Sequence, residues 1–170
     1  MNDKRAMLRH FLAALAYRTQ KALRGAPTTF QDFDAGQRVR TPIELVRHMT
    51  SVLGYARTFF IGGRYDRRSP LDFPGEIGRF HEMLQSLSAH LEQGTPLQRD
   101  GTEERLLQGP FADAMTHAGQ LALLRRLAGS PVAPENFVYA KVDAANLGPN
   151  QPAPARPDAR WPEAPDPEVH

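Results

Sequence analysis

Asp113, His117 and Gln120 lie at i, i+4 and i+7 within the stretch 111–129, FADAMTHAGQLALLRRLAG, which reads as one strongly apolar helix. Residues three and four apart on a helix share a face, with Cβ atoms about 5–6 Å apart. Asp113 and His117 therefore offer a carboxylate and an imidazole to the same point in space. Gln120 extends the row toward Leu124. The row is expected to face the core, where polar groups are costly unless something satisfies them. Two chemistries fit the spacing. One is a buried Asp–His hydrogen bond, an arrangement that arises often by chance. The other is part of a metal site, completed by a donor from a facing helix.

The stretch 42–60 supplies such a donor. Thr41-Pro42-Ile43-Glu44 is a capping box with proline at the first helical position. Beyond it Leu45, His48, Val52, Tyr55 and Phe59 form one stripe, widened by Val46, Met49, Leu53 and Phe60. His48 thus points at least partly inward. A lone histidine on an apolar face is ordinarily a core residue bonded to a neighbour. With Asp113 and His117 it makes a set of two histidines and one carboxylate. Such nitrogen and oxygen donors suit zinc, nickel, iron or manganese. Three protein ligands leave positions open for water or substrate. Gln120, one turn past His117, could orient that water or a ligand from behind the metal.

Other elements must hold these residues. Residues 3–24 read as a first helix, with Leu8, Phe11, Leu12, Leu15, Thr19 and Leu23 at helical spacing and Gly25 and Pro27 as its stop. His10 reads as a boundary or surface residue. Phe30 and Phe33 are expected to pin the connection 25–41, which is long enough to cover one end of the fold or shape a pocket mouth. Residues 61–74 are loop; its Arg64, Arg67 and Arg68 could face an anionic substrate, though a solvated charge run is the commoner case. The third helix spans about 75–92 on Ile77, Phe80, Leu84, Leu87 and Leu91. His81 and His90 fall on different faces of it and make no pair. Residues 103–107 begin the fourth helix, Gly109-Pro110 should kink or restart it, and Gly129-Ser130-Pro131 ends it. Arg125 and Arg126 sit in its last turns, where cations favour the helix dipole.

Four apolar-striped helices without strands make the chain all-α, a four-helix bundle over residues 1–135. Residues 136–170 form a proline-rich, largely irregular tail. Phe137, Val138, Tyr139, Val142, Leu147 and Trp161 within this region suggest a strap packing on the bundle or on a partner subunit.

Composition narrows the classes further. The chain has 170 residues, 41% hydrophobic and 24% charged, as for one ordinary globular domain. A formal charge of +2, with no basic run interleaved with aromatics, gives no footprint for nucleic acid. There are no cysteines, which excludes disulfides, a thiolate nucleophile and cysteine zinc sites. No run approaches the roughly 18 apolar residues of a membrane span. The start, MNDKRAMLRH, is a poor signal peptide. The expected location is cytoplasmic, away from membranes.

Two segments resemble the DinB-like superfamily of four-helix bundles, described as metal-dependent hydrolases. In TPIELVRHMTSV, His48 takes the place of the ligand histidine on the capped second helix. In DAMTHAGQLALLRRLAGSPV, His117 takes the place of the second of two helix-four histidines, and Gly119-Gln120 follow as in the family. The likeness covers roughly residues 5–135. Asp113 departs from it, standing where many relatives have histidine. A carboxylate there can still ligate and adds a negative charge, favouring a harder metal or tighter zinc; the change could also mark a member that has lost metal. The resemblance implies a divalent-metal enzyme acting on a small-molecule substrate, often a homodimer. Its reaction would be hydrolysis or transfer involving a low-molecular-weight thiol such as bacillithiol, mycothiol or glutathione. The contrasting expectation is a non-catalytic, stress-linked binding or dimerisation module whose polar row is structural.

Overall fold

The structure, a computed structural model, describes residues 2–66 and 68–158, and within them the chain is all-α. Three long helices come first: α1 (Asp3–Leu23), α2 (Pro42–Ile61) and α3 (Phe73–Glu92). The fourth helical stretch opens with the single turn α4 (Glu103–Leu106), widens into a π-helical turn over Leu107–Phe111 and continues as α5 (Ala112–Leu127). Among the described residues there is no strand, only an isolated antiparallel bridge between Glu135 and Pro157. Among them, too, no helix is long and apolar enough to cross a membrane.

Side chains satisfy the free N–H groups at the helix starts. Asn2 Oδ1 accepts from the Lys4 N–H at 2.7 Å ahead of α1. Glu44 Oε2 reaches back to accept from the Thr41 N–H at 3.0 Å, the acidic half of the expected capping box. Asp72 accepts from the Gly75 N–H at 3.0 Å and starts α3 two residues earlier than its apolar spacing suggests. Gly62, at φ 74°, ends α2 in the left-handed region.

Helices α1 and α2 each pack on both α3 and α5. Named contacts fix the directions. Arg5 donates to the Thr95 carbonyl and Arg9 to Ser88 Oγ, so α1 and α3 run antiparallel. Arg5 pairs with Glu103, Phe11 stacks on Phe111, and Arg125 reaches the Ala22 carbonyl, so α1 and α5 run parallel. Arg47 meets Glu76 near the starts of α2 and α3, and Phe60 stacks on His90 near their ends. These two consecutive helices are therefore parallel. Residues 62–72 must cross back along the molecule, which brings the starts of α2 and α3 to one end.

The core between the helices includes Leu12, Leu15, Met49, Leu53, Phe80, Leu84, Phe111 and Leu121, all fully buried. On α2 the buried stripe is Val46, Met49, Leu53, Ala56 and Phe60, with Leu45 beside it. The stripe expected through His48, Val52, Tyr55 and Phe59 lies at the edge of the packed face, and Tyr55 is 53% exposed. The apolar arc of α2 is wide because it contacts two helices, so residue type alone does not mark its centre.

Phe30 is buried and anchors the 25–41 connection, which forms a 3-10 turn over Thr28–Asp32. After α5 the chain folds back over α1 and α3. The Tyr17 hydroxyl donates to buried Glu135 at 2.8 Å, and burial together with this bond pushes its pKa well above the ordinary tyrosine value. Arg18 stacks over Phe137 at 3.8 Å. Leu147 is buried, and its carbonyl accepts from Nδ1 of buried His81 at 2.7 Å. Val138 and Tyr139 are exposed on this chain, with the Arg156 guanidinium over the Tyr139 ring at 4.2 Å. Trp161 lies outside the described residues.

Candidate metal centre

The π-helical turn sets up the site. Proline has no N–H, and its ring collides with the carbonyl four residues back in a regular helix. A widened turn around Pro110 relieves that collision, and the chain stays helical from Glu103 to Leu127 without a restart. One extra residue in a turn rotates the downstream part of the helix by about 100° relative to a regular one. Asp113 and His117, in the first turns of α5, inherit that rotation.

His48, Asp113 and His117 come together across α2 and α5. Each offers one donor atom, and the three atoms all lie within 4.8 Å of one another. His117 Nε2 stands 3.3 Å from Asp113 Oδ1. Bonds of about 2.0–2.1 Å put the donors of a tetrahedral ion about 3.4 Å apart, so this pair is already at ligating separation. The His48 and His117 rings meet edge to face with centroids 4.8 Å apart.

The row does not point into the core as expected. His117 is buried, but the Asp113 side chain is 50% exposed and Gln120 is exposed. Leu121, Ala118, Ala114 and Leu124 make the buried face of α5, and the polar row runs along its margin. His48 is half-buried on the facing margin of α2. A cleft of about 770 Å³ opens beside them, with His48, Ser51, Tyr55, Pro110 and Asp113 in its wall.

Gln120 stands behind His117. Its Oε1 accepts from His117 Nδ1 at 2.7 Å, which commits the Nδ1 proton to Gln120. Nε2 faces the Asp113 carboxylate at 3.3 Å, a separation that either a proton on Nε2 or a metal ion would bridge.

A second cavity, of about 640 Å³, also has His48 in its wall. Its wall includes Arg38 and Arg40 from the 25–41 connection. Arg68, from the basic cluster, faces this cavity, while Arg64 lines a smaller neighbouring one and Arg67 lies outside the described residues. Glu76 is the residue sequence reasoning missed here. It is fully buried, accepting from Arg47 Nε at 2.8 Å and from the Leu71 N–H at 2.9 Å, with Arg79 at 3.5 Å. Burial alone would raise its pKa, but the Leu71 N–H and the two guanidiniums outweigh that and hold it below the ordinary carboxylate value. Only the reversed direction of α3 would have revealed Glu76, since α2 and α3 must be parallel for Arg47 to reach it.

No family model, curated protein or solved structure matches the chain.

Proposed function

We propose that His48, Asp113 and His117 bind one divalent metal ion, and that the protein is a metal-dependent enzyme acting on a small molecule in the adjoining cleft. One observation carries this reading: a third donor, His48, converges on the Asp113–His117 pair from another helix. A proton between Asp113 and His117 would join those two residues alone, whereas a metal ion would take a donor from all three. The donor chemistry fits zinc, nickel, iron or manganese. The chain's own residues would bind the ion from two helices, with Gln120 holding His117 so that Nε2 faces it. The ion would supply Lewis-acid polarisation and a lowered pKa for a water or thiol.

The packing of α1 and α2 on both α3 and α5 supports a four-helix bundle, and the DinB-like reading of it rests on the segments around His48 and His117 that carry the resemblance. Within that family the reaction is hydrolysis or transfer to or from a low-molecular-weight thiol. Without cysteines, this chain would take such a thiol from outside. The test is metal content of protein purified without an affinity tag, in the wild type and in His48→Ala and His117→Ala. About one equivalent in the wild type and a large loss in both variants is expected; equal metal in all three removes the proposal.

The competing reading, a structural Asp113–His117 ion pair in a non-catalytic module, rests on the same 3.3 Å contact. It predicts that a chelator leaves the melting temperature unchanged, whereas a ligated ion stabilises the folded state it binds.

A further inference from the structure

We propose that the cavity at the shared start of α2 and α3 binds a polyvalent oxyanion group, a phosphate ester or a pair of carboxylates, carried by a small molecule. Arg38, Arg40, Arg47, Arg68 and Arg79 line it. Two carboxylates oppose them, Glu44 and Glu76, leaving three guanidiniums in excess. Glu76 holds Arg47 and Arg79. Among the described residues Arg38, Arg40 and Arg68 have no carboxylate partner. Guanidinium forks match the geometry of phosphate and carboxylate oxygens. Because α2 and α3 are parallel, the positive ends of both helix dipoles also fall at this end.

The backbone adds a second mark. Gln37 and Arg38 are consecutive non-glycine residues at φ 52° and 61°. Such conformations are costly and persist where the surroundings enforce them, often beside binding sites. The excess of three guanidiniums lines a concavity of about 640 Å³, in a chain whose formal charge is only +2. A concave site of that size fits a small anion better than an extended polyanion.

His48 lines both this cavity and the cleft beside Asp113. The anionic end of a substrate seated among the arginines would therefore lie one side chain away from the candidate metal centre. This link rests on the metal reading, while anion binding itself does not.

The experiment is calorimetric titration of the full chain, chelator-treated and at low ionic strength. The probes are inorganic phosphate and succinate, and the proteins are wild type, Arg40→Gln and the Arg38→Gln/Arg68→Gln pair. All three arginines are exposed, so the variants should keep the wild-type melting temperature. Saturable binding of one anion per chain is expected, weakened at least tenfold in the double variant. The tighter of the two probes identifies the head group. No saturable binding of either probe overturns the proposal, as does binding that the arginine variants leave unchanged. The chelator keeps the two ideas apart. Anion binding with no metal uptake removes the metal reading alone, and metal uptake with no anion binding removes this one alone.

Discussion

His117 turns its two ring nitrogens to different partners, Nδ1 to Gln120 and Nε2 toward Asp113. Partners behind a ligand histidine typically change metal affinity 10–100-fold. Gln120→Ala should therefore weaken metal binding by about that factor in a competition titration. Because Gln120 is exposed, the melting temperature of the metal-free protein should not move. Glu76 makes a contrasting prediction, since its role is structural. Glu76→Gln should cost about 1–3 kcal/mol in denaturant unfolding, because a buried network loses its charged acceptor. Its folded pKa is depressed, so its stabilisation is present above the unfolded value of 4.5 and is lost as pH falls through the lower folded value. Wild-type stability should thus fall below about pH 4.5 more steeply than that of Glu76→Gln. At this scale legibility follows sequence distance. Asp113, His117 and Gln120 can be read because one helix turn places them together. Glu76, Glu135 and Arg125 cannot, because Arg47, Tyr17 and the end of α1, which they respectively meet, lie far from them in the chain. Arg125, read as a cation at a helix end, is buried and donates to the carbonyls of Ala22 and Arg24 at the end of α1.

Helix starts and stops are legible because caps, prolines and glycines act locally. Helix direction is not, since nothing near Gly62 or Asp72 says that the loop between them crosses back. That crossing lays Tyr65 against α2, where a Cβ on Gly54 would overlap its ring. Gly→Ala in a helix interior ordinarily gains about 1 kcal/mol. At Gly54 the overlap should cancel or reverse the gain, and removing Tyr65 should restore it. A double-mutant cycle of Gly54→Ala and Tyr65→Ala is expected to show a coupling of about 1–2 kcal/mol. Additivity would mean that Tyr65 does not pack on α2. The phase of α2 is hard to read for a related reason. Tyr55 and Phe59 look like core residues by type, yet they pair edge to face with centroids 5.3 Å apart on the margin that borders the clefts.

Over the whole molecule, the all-α class follows from four apolar periods with no alternating segments. The course of the proline-rich region does not, because isolated apolar residues such as Leu147 carry no period. Leu147 is buried, and Leu147→Ala should cost about 2 kcal/mol, near the low end for such truncations because a loop can relax. Its carbonyl holds His81, whose pKa burial lowers from 6.5 against the raising effect of that hydrogen bond. The unfolded chain therefore takes up a proton more readily than the folded one. Stability should decline as pH falls below about 6.5, and His81→Gln should flatten the decline in melts between pH 7.5 and 5.

The chemistry of this molecule turns on whether α2 and α5 together hold one divalent ion. Cobalt titration of metal-free protein, followed by visible absorption, is the decisive measurement. Saturation at about one cobalt per chain is expected, with d–d bands of a four- or five-coordinate site. Those bands should be lost in His48→Ala and in His117→Ala, while both variants remain folded. A wild-type spectrum indistinguishable from hexaaqua cobalt, or one that His48→Ala leaves intact, would contradict a metal centre at this site.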